Sequence, residues 1–429
     1  MAGPFVFLAC TLAQGAVTSI ELIQQSDVLS GAAFGETGPY ECIEAKVHFA
    51  VDPKAGPNRS IADIDLAPTN APGLVEFSAD LYMLRPRFGV KGNGTALVEI
   101  SNRGGKALPY EFNFAQTPLD RNIPQTLGDG FLLSQGFTLV WIGWEFDVPP
   151  KPGLLRSYLP IATDHGKTIT GTVRSEWTGE HRQNVIPLGD RGQAGYPVLD
   201  LESPHNKLFV RDSVLGARTL IPHSNWSFDD ATHVELKGGF APGRIYEVVY
   251  AAKDPVVAGL GIAGVRDFVS YLKYGGAPTP IQDEHTSIKR AIGFGVSQGG
   301  RFLREYLYDG FNEDEQHRQV FDGVWAHVAG AGRGSFNQRF AQPSRDGHAF
   351  LNVVPKLFLT NGSYEYWSRC ASLIHTTPDG KADSSPSPGR ASTSLRDHSI
   401  PWARCRPVRR LLRTSPTQTT TVTVFGRFC

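Results

Sequence analysis

The stretch AIGFGVSQGGRFLREYLY, residues 291–308, decides the predicted fold of this chain. Its first six residues are a short apolar run typical of a buried strand, and Gly299–Tyr308 has apolar residues at helical spacing. Between the two, residues 295–299 read GVSQG, a G-x-S-x-G sequence. In a tight turn from strand to helix, a serine projects its hydroxyl from the sheet, and small flanking residues let neighbouring backbone pass. The pattern predicts a nucleophile at Ser297.

Two other interpretations of this stretch stay open. A G-x-S-x-G sequence also occurs by chance in ordinary turns, where the serine has no chemical role. Gly293 and Gly295 after a strand also fit the start of the dinucleotide-binding pattern G-x-G-x-x-G. That pattern requires glycine where Gln298 stands, and its strand normally opens a βαβ unit, whereas this one lies deep in the chain. The dinucleotide interpretation is therefore the weaker one.

The loop SNRGGK, residues 101–106, directly follows an apolar strand predicted at Ala96–Ser101. Acyl transfer to a serine requires hydrogen-bond donors aimed at the developing oxyanion. The amide of Gln298, at a helix start, supplies one donor, and a glycine-rich loop after an earlier strand supplies the other in this arrangement. We predict the second donor at Arg103 or Gly104. A simple glycine turn is the alternative.

The acid of a serine hydrolase with a nucleophile elbow follows the serine in the chain and stands beyond a later strand. Lys356–Thr360 is such a strand, and Glu365 comes shortly after it. Glu365 is therefore the predicted acid, which would orient the histidine and stabilise its cation. Asp322 and Asp379 are the competing candidates, and Glu365 as a surface helix cap is the alternative.

The histidine base comes last in this order, and only His375 and His398 follow Glu365. His375 lies at the end of the helix predicted at Glu365–Ile374, so we interpret it as a packing or helix-terminal residue. His398 has a loop-like neighbourhood, although no convincing strand precedes it. His398 is the predicted base, with a surface or core histidine as the equal alternative.

The composition limits the class of protein. The chain has 429 residues with 42 basic and 42 acidic side chains, and 41% of its residues are hydrophobic. This excludes a disordered chain, and the lack of a net basic field gives no reason to expect nucleic-acid binding. No metal-ligand spacing such as H-E-x-x-H occurs, so we expect neither a metal nor another cofactor. The expected partner is a small ester-like molecule.

Strands and helices alternate in the second half of the chain. A strand at Tyr246–Ala251, a helix at Val256–Lys273 and a strand at Phe321–Val328 surround the serine motif. The alternation predicts an α/β fold, with a mostly parallel sheet covered by helices on both faces. Residues 149–242 lack a helical period and are rich in Gly, Pro, Thr, His and Asp, which indicates an inserted β-rich lobe or cap. The predicted divisions are a signal peptide (1–19), the first core segment (20–148), the lobe (149–242), the second core segment (243–383) and a disordered or out-of-frame tail (384–429).

The amino terminus, MAGPFVFLACTLAQGAVTS, contains a short apolar run followed by small residues. This pattern is typical of a secretory signal, although no Lys or Arg precedes the run. The expected location is secreted or periplasmic. A cytoplasmic protein whose first residues form a buried strand is the alternative. No segment is apolar enough over about 20 residues to predict a membrane span.

Several long segments together identify a family. SNRGGK, GFGVSQGGRFLREYLYDGFNEDE, FDGVWAHVAGAG and NGSYEYWSRCASLIHTTPDG resemble the bacterial alpha/beta hydrolase domain-containing proteins. The resemblance spans residues 20 to 383. It implies an α/β-hydrolase fold and a serine esterase-like enzyme, often exported, with Ser297 as nucleophile and Glu365 as acid.

The chain departs from this family after residue 384. Family members continue with one more strand, a turn carrying the histidine and a closing helix, whereas residues 389–429 contain eight Arg, no Lys and no Glu. We therefore hypothesise a frameshift near residues 384–390 that removed all three. The predicted function is ester hydrolysis through an acyl-enzyme. The alternative is a catalytically impaired hydrolase-fold protein, a binding or relic protein without its base.

Overall fold

The structure, a computed structural model, describes residues 16–87, 92–189, 192–213, 216–276, 280–281, 288–330 and 332–344, and the backbone of two further strands. Numbered along the chain, the strands are β1 Val17–Asp27, β2 Ala33–Phe34, β3 Gly38–Val51, β4 Val75–Pro86, β5 Thr95–Glu99, β6 Thr138–Ile142, β7 Ser157–Tyr158, β8 Thr163–Asp164, β9 Lys167–Thr168, β10 Thr170–Thr178, β11 Gln183–Pro187, β12 Lys207–Arg211, β13 Thr219–Ile221, β14 Trp226–Asp230, β15 His233–Phe240, β16 Ile245–Lys253, β17 Arg290–Val296, β18 Gly323–His327, β19 Lys356–Asn361 and β20 Arg390–Ser394. The helices are α1 Leu108–Asn113, α2 Pro124–Leu127, α3 Phe131–Ser134, α4 Gly259–Tyr274 and α5 Gln298–Tyr308.

Eleven of the strands form one large sheet. Its strands lie in the order β1-β3-β4-β6-β5-β17-β18-β19-β20, with β2 and β7 attached to β3 and β4. The pairs from β1 to β6 are antiparallel. All pairs from β6 to β20 are parallel, so six strands end at the same edge. This edge carries the serine motif.

Strand β6 has apolar side chains on both faces, as a strand of a sheet covered on both sides requires. On β6, Val140 and Ile142 belong to a core cluster that includes residues of α4 and α5. Leu139 and Trp141 belong to a second cluster, which includes residues of α1, α2 and α3. The coarse prediction of an α/β fold with parallel strands and helices is confirmed. The prediction of a mostly parallel sheet is wrong for the described strands, because five pairs of the large sheet are antiparallel and five are parallel.

The β-rich segment forms sheets of its own. β10, β16, β12 and β13 form a four-stranded sheet, β11, β15 and β14 a three-stranded one, and β8 pairs with β9. These strands enclose a third apolar cluster that includes Leu208, Val234 and Tyr250. The strand predicted at Tyr246–Ala251 is present as β16, but it pairs with β10 and β12 instead of the large sheet. The lobe therefore continues beyond the boundary we predicted at residue 242.

The amino-terminal boundary also differs from the prediction. Residues 1–15 lie outside the described part of the chain. Ala16 and Val17 are buried, Val17 pairs with Phe49, and the Ala16 carbonyl accepts the Ala50 amide at 2.8 Å. The folded part thus begins by Ala16, so a boundary at residue 19 would cut into β1. Within the described residues, no helix has the length and apolarity for crossing a membrane.

The carboxy-terminal strand contradicts one part of the frameshift hypothesis. That hypothesis expected the last strand of the sheet to be missing, but β20 extends the sheet in parallel beside β19. Its sequence, RASTS, has no apolar residue larger than alanine, so hydrophobic patterning could not reveal it. The rest of the predicted tail, residues 395–429, lies outside the described residues.

Candidate active site

Ser297 occupies the corner between β17 and α5. Its backbone angles are φ 51° and ψ −102°, so it belongs neither to the strand nor to the helix. A non-glycine residue with positive φ is uncommon and costs of the order of 1–3 kcal/mol unless its surroundings enforce it. The enforcing contact is a 2.8 Å hydrogen bond from the Ser297 amide to the His327 carbonyl, at the end of the neighbouring strand. Arg301 donates to the Ser297 carbonyl at 2.9 Å and begins the helical bonding.

The glycines around Ser297 are required by close backbone contacts. A Cβ atom on Gly295 would lie 2.3 Å from the carbonyl carbon of Gly299. On Gly299 it would lie 2.3 Å from the Ile100 carbonyl oxygen, and on Gly300 it would lie 2.9 Å from the Ala329 methyl. Strand and helix therefore approach each other, and the end of β5, more closely than any side chain allows. The turn from strand to helix that the G-x-S-x-G sequence predicted is present, and the role of Ser297 as nucleophile stays a prediction.

The glycine loop lies directly against this corner. The Asn102 side-chain oxygen accepts the Gly299 amide at 2.8 Å, which ties the loop after β5 to the first turn of α5. Arg103 has φ 51° and Gly104 has φ 75°. A Cβ at Gly104 would lie 2.5 Å from the Leu155 carbonyl oxygen, so glycine is required there.

Two buried carboxyl groups lie behind the corner. Glu145 and Asp147 are each 1% exposed and follow the carboxyl end of β6. The Gln298 side-chain amide donates to Glu145 and to the Pro343 carbonyl. The Ser344 amide donates to Asp147 at 3.4 Å. Within the described residues, one oxygen of each carboxyl has no hydrogen-bond partner.

These carboxyl groups favour their protonated forms. Burial raises the pKa of Glu145 well above its usual range, and the nearby charge of Asp147 raises it further. Burial likewise raises the pKa of Asp147 to about 6. The guanidinium of Arg103 opposes both shifts. The pair therefore holds at least one proton at neutral pH, because burial disfavours two adjacent charges.

Neither this carboxyl pair nor His327 was predicted from the sequence. Glu145 and Asp147 follow β6, and His327 lies within the strand predicted at Phe321–Val328. Their place at the carboxyl end of a parallel strand was the available signal, since ligands bind at this edge in open α/β sheets. His327 faces Val296 across the strand pair, and burial lowers its pKa to about 4, so its imidazole is neutral at pH 7.

Among the predicted acids, only Asp322 lies within the described residues. Its carboxylate accepts the Ala291 amide at 2.8 Å and the Lys273 ammonium at 2.9 Å. Ala291 begins β17, whereas Ser297 follows its end, so Asp322 lies at the opposite edge of the sheet. Asp322 cannot serve as the acid. Glu365, Asp379, His375 and His398 lie outside the described residues, and their predicted roles stay predictions.

A cavity of about 1220 Å³ adjoins the corner. It reaches Val296, the residue before the serine, and Asn102 and Gly105 of the glycine loop. Tyr82 and Tyr110 are among its aromatic lining residues. The volume is sufficient for a substrate of drug-like size or larger.

A parallel sheet edge with a serine in a strained turn, beside a glycine loop and a cavity, is an arrangement that α/β hydrolases share. Residues 228–383 match a family model described as an alpha/beta hydrolase domain. This match supports an alpha/beta hydrolase domain protein. The matched range includes Ser297 and Glu365 but neither the glycine loop nor His398. None of the curated proteins compared with the chain matches it.

Proposed function

We propose that this protein is a serine hydrolase that cleaves carboxylic esters of small molecules through an acyl-enzyme intermediate. The hydrolase domain match supports hydrolysis, and the backbone of Ser297 supports a serine nucleophile. The main support for this proposal is the positive φ of Ser297. Ser297 lies between β17 and α5, and its amide donates to the His327 carbonyl. Such strain persists where it presents a reactive group.

Glu365 and His398 are the proposed acid and base. The register of β17, β18, β19 and β20 places Thr360 and Thr393 at the same height in the sheet as Val296. Glu365 and His398 each follow that level by five residues, which span at most about 17 Å. The lateral distance to β17 is about 10 Å from β19 and about 14 Å from β20, at about 4.8 Å per strand. Both segments are long enough to reach the serine, which supports this assignment.

In the proposed reaction, the Ser297 Oγ attacks the ester carbonyl carbon while its proton passes to the His398 imidazole. The resulting tetrahedral oxyanion collapses, the bond to the alcohol breaks, and the imidazolium returns the proton to the departing alkoxide. Water then attacks the acyl-enzyme by the same route and releases the carboxylic acid. Glu365 stabilises the imidazolium in both halves of the reaction.

The amides of Gln298 and Gly104 are the proposed oxyanion donors. In the part of the chain that the structure describes, neither amide has a hydrogen-bond acceptor. The Arg103 amide, the other predicted donor, acts on the Glu145 carboxyl and lowers its pKa. Preorganised donors of this kind contribute roughly 100- to 1000-fold to the rate of acyl transfer.

A label and an assay together test the proposal. A fluorophosphonate probe should modify Ser297, identified by peptide mapping, and the protein should hydrolyse 4-nitrophenyl esters. Ser297→Ala should abolish both signals, whereas Ser224→Ala, at an exposed serine of the β-rich lobe, should change neither. Equal hydrolysis by Ser297→Ala and the wild-type protein would refute the proposal.

The second candidate is a hydrolase-fold protein without a working base, which the atypical composition of residues 389–429 favours. His398→Ala separates the two. If His398 is the base, the rate should fall about 1000-fold or more. An unchanged, low rate that still depends on Ser297 would support the impaired protein, and resequencing the gene around residues 384–390 would then test the frameshift directly.

A further inference from the structure

The cavity beside the elbow contains charged side chains, and several of them are paired or hydrogen-bonded within the protein itself. Glu99 accepts hydrogen bonds from two backbone amides and from the Trp141 indole. Glu44 forms an ion pair with Arg121 at 2.5 Å. Asp80 accepts a backbone amide at 3.0 Å. These groups have no unmet requirement for a ligand.

Lys106 differs from them. Its ammonium donates to the Gly153 carbonyl at 2.5 Å and lies 4.7 Å above the ring centre of Tyr82. Within the described residues it has no carboxylate at ion-pair distance, and the charges of Glu44 and Glu99 act on it only from farther away. An ammonium has three donors, so two remain after the bond to Gly153.

The position of Lys106 relates it to the reaction. It follows Gly104 and Gly105 in the loop that contacts the first turn of α5, and it lines the same cavity that reaches Val296. Burial lowers the pKa of Lys106, because a partly buried ammonium is costly unless an anion accompanies it. A bound anion would remove this cost.

The surroundings favour a singly charged anion. Glu44 acts electrostatically on Lys106, and its charge would repel a doubly charged group such as phosphate more strongly than a carboxylate. Glu111 also lines the cavity, and burial raises its pKa to about 7, so it is mostly neutral in mildly acidic solution. The site is therefore most receptive to a carboxylate near pH 6.

We propose that the Lys106 ammonium binds a free carboxylate carried by the substrate, so that the site selects esters with such a group over neutral esters of equal length. This inference rests on the proposed ester hydrolysis and specifies its substrate class. Hemi-esters of dicarboxylic acids are the simplest members of that class. The cation–π contact and the bond to Gly153 hold the ammonium ready for this role.

Paired substrates test the selectivity. At pH 6, 4-nitrophenyl hydrogen glutarate is compared with 4-nitrophenyl valerate, which has the same chain length without the charge. Lys106→Met should lower the ratio of their kcat/KM values about tenfold, as loss of a charge-assisted hydrogen bond implies. Lys106→Arg should keep the ratio within about threefold, because the cation remains.

Lys46→Met is the matched control. Lys46 also stacks on a tyrosine, at 3.9 Å from the ring centre of Tyr158, but it is not among the residues lining the cavity. The ratio of the kcat/KM values for the two esters should be the same in Lys46→Met as in the wild-type protein. If Lys106→Met lowers kcat/KM for both esters equally, Lys106 only anchors the loop to Gly153 and the proposal is overturned.

A binding measurement separates this inference from the proposed hydrolysis. In the Ser297→Ala background, which cannot form an acyl-enzyme, the hemi-ester should raise the melting temperature, and adding Lys106→Met should remove that shift. The melting-temperature shift caused by the neutral ester should be the same with and without Lys106→Met. If the wild-type protein hydrolyses neither ester, the proposed function fails and the binding measurement alone decides: a Lys106-dependent shift supports the carboxylate site, and its absence overturns it.

Discussion

The two edges of the parallel sheet are built from the same strands but differ in strain. At the carboxyl edge, β5, β17 and β18 are followed by Arg103, Ser297 and Val328, with φ of 51°, 51° and 42°. At the amino edge, Asp322 ties β17 to α4 through an amide and an ammonium. The carboxyl edge thus contains residues with unfavourable backbone angles. At the amino edge, the Asp322 contacts are ordinary hydrogen bonds.

This difference supports the proposal that the function lies at the carboxyl edge. Strained non-glycine residues each cost of the order of 1–3 kcal/mol, and a β-branched residue such as Val328 is a clear outlier. The same edge contains the buried carboxyl pair, with oxygens that lack partners in the described structure. Proteins depart from local rules mostly at functional sites, so the carboxyl edge is where chemistry is expected.

The largest expected effect comes from Gly299→Ala at the carboxyl edge. Its methyl would lie 2.3 Å from the Ile100 carbonyl oxygen, so the first turn of α5 must shift away from the glycine loop. A displacement of about 1 Å costs roughly 100-fold in rate, and we expect at least that loss in kcat/KM for a 4-nitrophenyl ester.

Gly56→Ala is the control for this substitution, because nothing lies within 4 Å of its added methyl. It should leave both kcat/KM and the melting temperature unchanged. A fully active Gly299→Ala protein would show that the closeness of loop and helix has no catalytic importance.

The sequence predicted those parts of the site that depend on residues adjacent in the chain. The apolar run before Ser297, the glycines at 295 and 299 and the helical spacing afterwards are all encoded within eighteen residues. The turn from strand to helix could therefore be predicted from adjacent residues, and the structure contains it between β17 and α5.

The missed features depend on distant partners. β16 has an ordinary strand pattern, and only its neighbours β10 and β12 assign it to the lobe. β20 has a polar sequence and exists through its pairing with β19. Glu145 meets Gln298 across 153 residues of chain, and no spacing within either segment encodes that contact. Register and burial are properties of the folded sheet, so sequence patterns alone do not specify them.

The second prediction concerns the pH dependence of stability. The folded pKa of Asp147, about 6, lies above its ordinary value of 3.8, so the folded state binds the proton more tightly. This contribution is complete below about pH 4 and is lost as the pH rises through 6. The shift corresponds to about 3 kcal/mol, at roughly 1.4 kcal/mol per pKa unit.

The Asp147→Asn variant has no carboxyl that can ionise at this position. Its free energy of unfolding should therefore lack this loss as the pH rises. The free energy of unfolding, from urea titrations at pH 4 and pH 7, should decrease more in the wild-type protein than in the variant, which also lacks the effect of the Asp147 charge on Glu145. Glu99 and Glu305, whose pKa values are also raised to about 7, contribute equally to both proteins and cancel in the comparison. Parallel curves for the two proteins would contradict the assignment.

The third prediction tests whether the buried pair positions the oxyanion donor. Glu145 accepts the side-chain amide of Gln298, whose backbone amide is the proposed donor. Glu145→Ala should lower kcat about tenfold with little change in KM, because a misdirected donor affects the transition state more than binding. Glu145→Gln, which resembles the protonated carboxyl, should recover most of the rate. Equal loss in both variants, or a change confined to KM, would contradict a positioning role.

The smallest effect is expected at the amino edge, where Asp322 should matter for stability alone. Its side chain is 37% exposed and pairs with Lys273, so the ion pair itself contributes at most about 1 kcal/mol. Asp322→Asn keeps an acceptor for the Ala291 amide and should lower the free energy of unfolding by less than about 1 kcal/mol, whereas Asp322→Ala should lower it by about 1–2 kcal/mol. Both variants should hydrolyse 4-nitrophenyl esters within twofold of the wild-type rate. A large loss of kcat in a folded Asp322→Asn protein would mean that chemistry is not confined to the carboxyl edge, since Asp322 contacts the opposite end of the strand that carries Ser297.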